Sequence, residues 1–430
     1  MSIKFFLIFL IQFSLWGSFV GTSEALLTPV VKEKNLKVEQ VTYGLDSPTS
    51  MEFLGKNDII VLEKNKGTLL RVLDGKILSR PLLDVDVANE NERGLLGLTI
   101  GKDNSVNGSA NIYLFFTESG VGKDNFDFCP EIINCLGDQP KGNRLYKYQL
   151  IDDKLVNPKL LLDLPSSTGS NHIGGVIDIG PDNNIYLSGG DASLPMEASN
   201  VKNGSSPDGR GGILRMTQDG EPVKTSIFGN KYPLNLYYAY GLRNSFGIAF
   251  DPLTGKLWDT ENGKGYNDEL NLVQEGFNSG WNLISGTSGR NDFNESNLVS
   301  LNGKGKYSDP EFVWYAPIGV TSAVFLNSEE YGEKYANDLF VGDINNGNIY
   351  HFDLTANRNS LILNGNLSDR VADNKKEYED TIFAKGFGGI TDLEIGPDGY
   401  MYILTFHERT YKDYHHYYGN GAIYRIIPKE

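Results

Sequence analysis

The chain has 430 residues, including 49 Gly, 23 Tyr and 22 Phe, and a formal net charge of −16. That much negative charge argues against a nucleic-acid or anionic-membrane partner, because binding to phosphates needs a basic surface. Two cysteines alone are too few for a structural zinc site.

Lys4 precedes an apolar stretch from Phe5 to Val20, which is broken by Gln12, Ser14 and Gly17-Ser18. Ser23-Glu24-Ala25 follows as a small-x-small cleavage pattern. Residues 1–25 therefore read as a secretory signal peptide, with an uncleaved amino-terminal anchor as the alternative. The run is too short and too interrupted for a membrane span. Either form makes residues 26–430 a secreted or extracytoplasmic domain.

From about Met51 to Ile426 two short phrases alternate without a linker-like break. The first ends a strand and turns: Ile179-Gly180-Pro181-Asp182 before Ile185-Tyr186-Leu187, and Ile395-Gly396-Pro397-Asp398-Gly399 before Met401-Tyr402-Ile403. Looser copies run from Ile100-Gly101 to Tyr113-Leu114 and from Phe250-Asp251-Pro252 to Leu257-Trp258. The second phrase is Gly-x-aliphatic-x-Arg-apolar or close to it, as in Gly67 to Val72, Gly212 to Met216 and Gly421 to Ile426. Pro fixes φ in the turn and Gly tolerates positive φ, while apolar alternation on either side makes half-buried strands. A hairpin plus one further strand, repeated along the chain, predicts an all-β propeller in one domain, 26–430. Cys129 and Cys135 share a loop rich in Asn, Asp, Gly and Pro. In an exported protein they form one local disulfide, the alternative being two free thiols.

In such a blade the innermost strand and its neighbour run antiparallel, so the start of one and the end of the other share a face. Asn171-His172-Ile173-Gly174-Gly175 leads into one inner strand, and Gly189-Gly190-Asp191 leaves its partner. Gly241-Leu242-Arg243-Asn244 leads into the next, with Thr260-Glu261-Asn262-Gly263 leaving its partner; Glu92 to Gly97 leads into an earlier one. His172, Asp191, Arg243, Asn244, Asn262 and Glu92 are thus expected near the axis on one face. Each has a structural alternative: a hydrogen-bonding His, a turn-capping Asp, an Arg paired between blades. Together they make a base, its orienting carboxylate and a cation for developing negative charge. The turn from Asn262 to Glu269 is rich in oxygen and suits Ca²⁺, although it lacks EF-hand spacing. His407, His415 and His416 crowd a Tyr-rich loop, read as solvated aromatic surface or as a metal trap.

Glu92-Arg93-Gly94-Leu95-Leu96-Gly97, His172 through Asp191, Gly241 to Asn244, Asp268 to Leu272 and Asn278-Ser279-Gly280-Trp281 occur in an order that resembles the soluble quinoprotein glucose/sorbosone dehydrogenases, which include the aldose sugar dehydrogenases. The resemblance covers nearly the whole mature chain and implies a six-bladed propeller. It also implies pyrroloquinoline quinone (PQQ) and Ca²⁺ over the central channel, a sugar substrate, a lactone product and an external electron acceptor. By carry-over, His172 is the base, Asp191 its partner and Arg243 the cation beside the reacting carbonyl. Glu92, Asn244 and Asn262 contact the cofactor, the carbonyls of Gly263 and Lys264 bind its Ca²⁺, and Glu269 serves a second, structural Ca²⁺.

The chain also departs from that family's pattern. Gly389-Ile390-Thr391-Asp392 stands where Arg-x-Arg-Asp is usual, and Asn345 where a Lys is usual. Val176 replaces an Arg, and Phe246 an amide. Three cations lost from a tricarboxylate ligand, at about 1.5–3 kcal/mol apiece, weaken binding by orders of magnitude. Lys385, Lys304 and Lys306 are the candidate replacements. The alternative function is a non-redox propeller that binds a glycan, a small ligand or a surface partner. Ca²⁺-assisted hydrolysis, as in lactonases, with Glu92 and Asn262 as ligands, is a third.

Overall fold

A computed structural model describes residues 28–101, 110–124, 139–166, 169–224, 226–290, 293–406 and 421–429. The expected leader, the Cys129–Cys135 pair and the loop of His407, His415 and His416 lie outside these residues.

The repeated turn phrases fold as their composition dictates. Ile179 pairs with Ile185, and the turn between them closes through Gly180 N donating to Asn184 O. Ile395 pairs with Met401, and Gly396 N donates to Tyr400 O. The residue these turns need at positive φ is Asn183 (64°) in one and Gly399 (79°) in the other.

The strands form six sheets, and the fold is an all-β propeller. The innermost strands, in chain order, are Pro48–Gly55, Leu95–Ile100, Gly174–Ile179, Ser245–Phe250, Val320–Phe325 and Ile390–Ile395. Each packs on the next around the axis, and the last returns to the first. From each inner strand the chain meanders outward by antiparallel pairing, for instance Gly174–Ile179 to Ile185–Gly189 to Gly212–Met216 to Tyr237–Tyr240. The last sheet takes its outermost strand from the other end of the chain: Leu36–Leu45 pairs with Gly421–Pro428, from Leu36 opposite Pro428 to Leu45 opposite Gly421. Large side chains fill the space between sheets. Phe312, Trp314, Tyr350 and Phe352 make edge and tilted contacts in one such cluster, where a fully buried Phe contributes about 1.5–3 kcal/mol. Lys375–Thr381 is the α-helix among the described residues, its first turn capped by Asn374. No helix there is long and apolar enough to cross a membrane.

All six inner strands share one irregularity. Their pairing register shifts near the first residues, between Pro48 and Met51, Leu95 and Gly97, Gly174 and Ile177, Ser245 and Gly247, Val320 and Ala323, and Ile390 and Asp392. A bulge interrupts strict alternation and re-aims side chains. Six bulges at the same end of six strands gather side chains around one mouth of the channel.

Candidate functional site

A cavity of about 440 Å³ occupies that mouth. Its walls come from the bulged starts of the inner strands, including Leu96, Val176, Phe246 and Thr391, and from the ends of their partners. His172, Arg243, Asn244, Asn262, Glu92 and Gly263 all line it, as the strand directions require.

His172 sits at φ +57°, a left-handed conformation that costs a non-glycine residue about 1–2 kcal/mol. Three contacts hold it there. Its N–H donates to Glu92 Oε2 at 2.7 Å, its carbonyl accepts from Ala192 N, and Gly190 passes directly over that carbonyl. A Cβ on Gly190 would lie 2.1 Å from His172 O, so the Gly-Gly-Asp phrase is a steric requirement. Glu92 Oε2 also accepts from Ile173 N at 3.3 Å and from Asn244 Nδ2 at 3.0 Å, tying the starts of two inner strands together.

The imidazole lies in a chain of polar groups. Nδ1 is 2.7 Å from Asp191 Oδ1, and Arg243 Nη2 is 2.6 Å from Nε2. A guanidinium only donates, so Nε2 is the acceptor and Nδ1 carries the proton toward Asp191. Asp191 does not line the cavity; it is 3% exposed, behind the ring, where its Oδ2 accepts from Trp281 Nε1 at 2.7 Å. Trp281 also lies under the Arg243 guanidinium, 5.5 Å from ring centre to Cζ. Arg243 Nη1 donates to Asn262 O at 2.8 Å, while Arg243 N donates to Glu261 Oε1 at 2.6 Å. Arg243 Nε is buried without an acceptor among the described residues.

The oxygen-rich turn is held from below by Asp268. Its Oδ1 accepts from Gly263 N at 3.0 Å, and its Oδ2 from Ile318 N and Gly319 N at 2.8 and 2.7 Å. Gly263 reaches the cavity; Lys264 is exposed and does not line it. Glu269 stands apart from the cavity, buried beside Glu261, with Ser279 Oγ 2.6 Å from Glu261 Oε2 and 3.5 Å from Glu269 Oε2. Burial and the neighbouring Glu269 charge raise Glu261 well above the usual carboxylate range, and burial raises Glu269 to about 7.

Thr391 and Asn345 line the cavity where the expected cations are replaced, and Lys385, Lys304 and Lys306 do not line it. Among the described residues, the cations that do are Arg243 and Lys64. Sequence reasoning missed Lys64, Glu261 and the Asp191 contact of Trp281. Lys64 follows the second strand of the first sheet, Asp58–Glu63, as Asp191 and Asn262 follow theirs; that parallel was the available signal.

Residues 45–411 match the family profile described as Glucose / Sorbosone dehydrogenase. Over 380 residues the chain is 26% identical to an aldose sugar dehydrogenase of Escherichia coli K12, covering 86% of this chain and 90% of that protein. Its fold is similar to that of the PQQ-bound aldose sugar dehydrogenase from Streptomyces coelicolor, with TM-score 0.62, 22% identity and coverage of 93% of this chain and 100% of the other. It is similar also to the apo-form of the soluble aldose sugar dehydrogenase from Escherichia coli, with TM-score 0.66, 21% identity and coverage of 92% and 100%.

Proposed function

This chain belongs to the glucose/sorbosone dehydrogenase family, and from that premise we propose that it is an exported sugar dehydrogenase. It oxidises the anomeric hydroxyl of an aldose to a lactone, with a PQQ-type quinone and Ca²⁺ at the cavity and an external acceptor taking the electrons. The scaffold of this reading is a six-bladed ring, one sheet per blade. The observation that carries it is the Asp191–His172–Arg243 chain, which opens into the cavity at Nε2.

The residues present fit the reacting end of such a quinone. Arg243 has a buried Nε without an acceptor among the described residues and a guanidinium facing the cavity, and Phe246, Val176 and Leu96 offer apolar walls to a flat ring. Arg243, Asn244, Asn262 and Glu92 would hold the quinone and the carbonyl of Gly263 its Ca²⁺, while Lys264, which does not line the cavity, drops out of the expected set. The buried Glu261–Glu269 pair suits a second, structural Ca²⁺, which would neutralise both carboxylates. When bound, the quinone and its Ca²⁺ supply a two-electron acceptor.

The chain's own residues do the acid–base work. Neutral His172 takes the hydroxyl proton at Nε2, and Asp191 stabilises the resulting imidazolium through Nδ1–H. Trp281 fixes the second oxygen of Asp191, so the carboxylate keeps its orientation as charge develops. Arg243 Nη2 now occupies the position at Nε2 that a substrate hydroxyl needs. Productive binding therefore turns the guanidinium from the imidazole toward the oxygen that gains negative charge.

The neutral Thr391 and Asn345 favour a second reading, a non-redox propeller that binds a sugar or small ligand at the same cavity. One experiment separates the two: purified protein is given PQQ and Ca²⁺, and dye reduction is followed with a panel of aldoses. Turnover supports the dehydrogenase. If titration shows no quinone binding, that reading fails.

A further inference from the structure

We propose that Lys64 is the anchor for a carboxylate of the cavity's ligand, standing in from the first sheet for the cations absent at Thr391 and Asn345. The proposal rests on the dehydrogenase reading for its first candidate ligand, the quinone. The shared chemistry is a carboxylate, which an acidic sugar substrate also carries.

Lys64 is 8% exposed and lines the cavity. Its backbone is fixed on both sides: its N–H donates to Ser47 O at 3.1 Å and its carbonyl accepts from Leu95 N at 3.0 Å. Its aliphatic stem is packed under Gly94, where a Cβ would lie 2.7 Å from Lys64 Cγ. Nζ donates to Asn65 Oδ1 at 2.9 Å and to Asn89 O at 3.3 Å. An ammonium has three N–H groups, so one has no acceptor among the described residues. Both acceptors found are neutral, and among the described residues no carboxylate forms an ion pair with Lys64. An ammonium desolvated in this way is poised to take an anion.

Its place in the ring matches the missing charge. Thr391 Oγ1 donates to Pro48 O at 3.0 Å, so the start of the last inner strand adjoins the first sheet, which carries Lys64. Thr49, Ser50 and Asn91 line the cavity with it and supply neutral polar groups, while Arg243 serves the far side with His172. The two lining cations thus belong to different parts of the wall.

Burial lowers the Lys64 ammonium to about 8, against the opposing pull of Glu92. The other charged groups nearby act elsewhere. Glu63 accepts from Asp46 N and Thr68 and pairs with Lys66; Arg93 donates to Gly169 O; Glu90 shares the 89–93 loop. Asp268, Asp392, His172 and Arg243 line the rest of the cavity. A carboxylate arriving at Nζ favours the charged form, so anion binding above about pH 8 draws a proton from solution.

The test titrates full-length protein, in excess Ca²⁺, with PQQ, its trimethyl ester, glucuronate and glucose, by Trp fluorescence and by calorimetry in two buffers of different ionisation enthalpy. Expected are a tenfold to hundredfold loss of PQQ affinity in Lys64→Met, on the general scale for hydrogen bonds to charged groups. Near pH 8.5, roughly the range in which the amine is half neutral, wild type takes up a proton on binding, and Lys64→Arg binds without that uptake. Should Lys64→Met fail to fold, proton uptake by the wild type and the weaker binding of the ester decide alone. Lys64-dependent affinity for glucuronate over glucose, without PQQ binding, would sink the quinone reading and keep the anchor. PQQ that binds with no dependence on Lys64, on pH or on esterification, and glucuronate no better held than glucose, would overturn the anchor and leave the dehydrogenase standing. No binding of PQQ or glucuronate to wild type would overturn both.

Discussion

Replacing Asp191 by Asn changes one oxygen for an amide nitrogen at a site where every neighbour is a donor. Oδ1 accepts from His172 Nδ1 at 2.7 Å and from Ser193 N at 2.8 Å, and Oδ2 accepts from Trp281 Nε1 at 2.7 Å. If the amide nitrogen faces Trp281, two N–H groups collide and the charge behind the imidazole is gone. If it faces His172, the ring must accept at Nδ1, which moves its proton to Nε2 and points it at the Arg243 guanidinium. In neither arrangement is Nε2 a supported base. Each charge-assisted hydrogen bond lost at a residue 3% exposed costs about 1.5–3 kcal/mol. Loss of the orienting carboxylate is expected to lower kcat by roughly 10²- to 10⁴-fold. Steady-state dye reduction at saturating PQQ and Ca²⁺ measures it, with PQQ affinity and melting temperature followed in parallel. Affinity should change little, because Asp191 does not touch the cavity. A variant that keeps kcat within a few-fold of wild type refutes the assigned tautomer and the role built on it.

Gly190→Ala places a methyl against His172 O, 2.1 Å from the ideal Cβ position, and should displace the loop, with activity lost and stability lowered by about 1–3 kcal/mol in chemical denaturation. Near the channel, burial and the charges of Asp178 and Asp392 raise Glu52 to about 8, and burial raises Asp392 to about 7. These folded-state values lie above the unfolded ones, so the stability they contribute is complete below about pH 4 and is lost as pH climbs toward 8, at up to about 1.4 kcal/mol per unit per group. Urea midpoints across that range should fall, and Glu52→Gln should flatten the slope; a midpoint that rises with pH contradicts the assignment. Removing Ca²⁺ with a chelator at neutral pH should lower the melting temperature by several degrees in wild type and by much less in Glu269→Gln, while an unchanged wild-type value removes Glu269 from the ligand set.

The repeated turns were legible because their chemistry is local: Pro181 and Pro397 fix φ, and Asn183 and Gly399 supply the positive φ that closes each corner. The convergence of His172, Arg243, Asn244, Asn262 and Glu92 was legible too, since strand direction decides which loops share a face. Contacts made through a second layer were not. Asp191 and Trp281 meet across 90 positions of sequence, and no spacing rule links them. Glu92 was read as a cofactor contact, but that its Oε2 also holds His172 N, Ile173 N and Asn244 Nδ2 is visible only once two inner strands lie side by side. Lys64 was not legible either, since charged neighbours flank it, and Lys66 pairs with Glu63. Its burial depends on Gly94 arriving from the next blade, which one strand's pattern does not encode.

The most direct measurement compares His172→Ala with wild type in two assays on the same preparation: turnover of an aldose with PQQ, Ca²⁺ and dye, and PQQ affinity by fluorescence titration. Turnover should fall by at least about 10³-fold with affinity nearly unchanged, since the imidazole moves the proton while other groups hold the ligand. Substantial turnover in the variant, or collapse of turnover and affinity together, would contradict that division of roles.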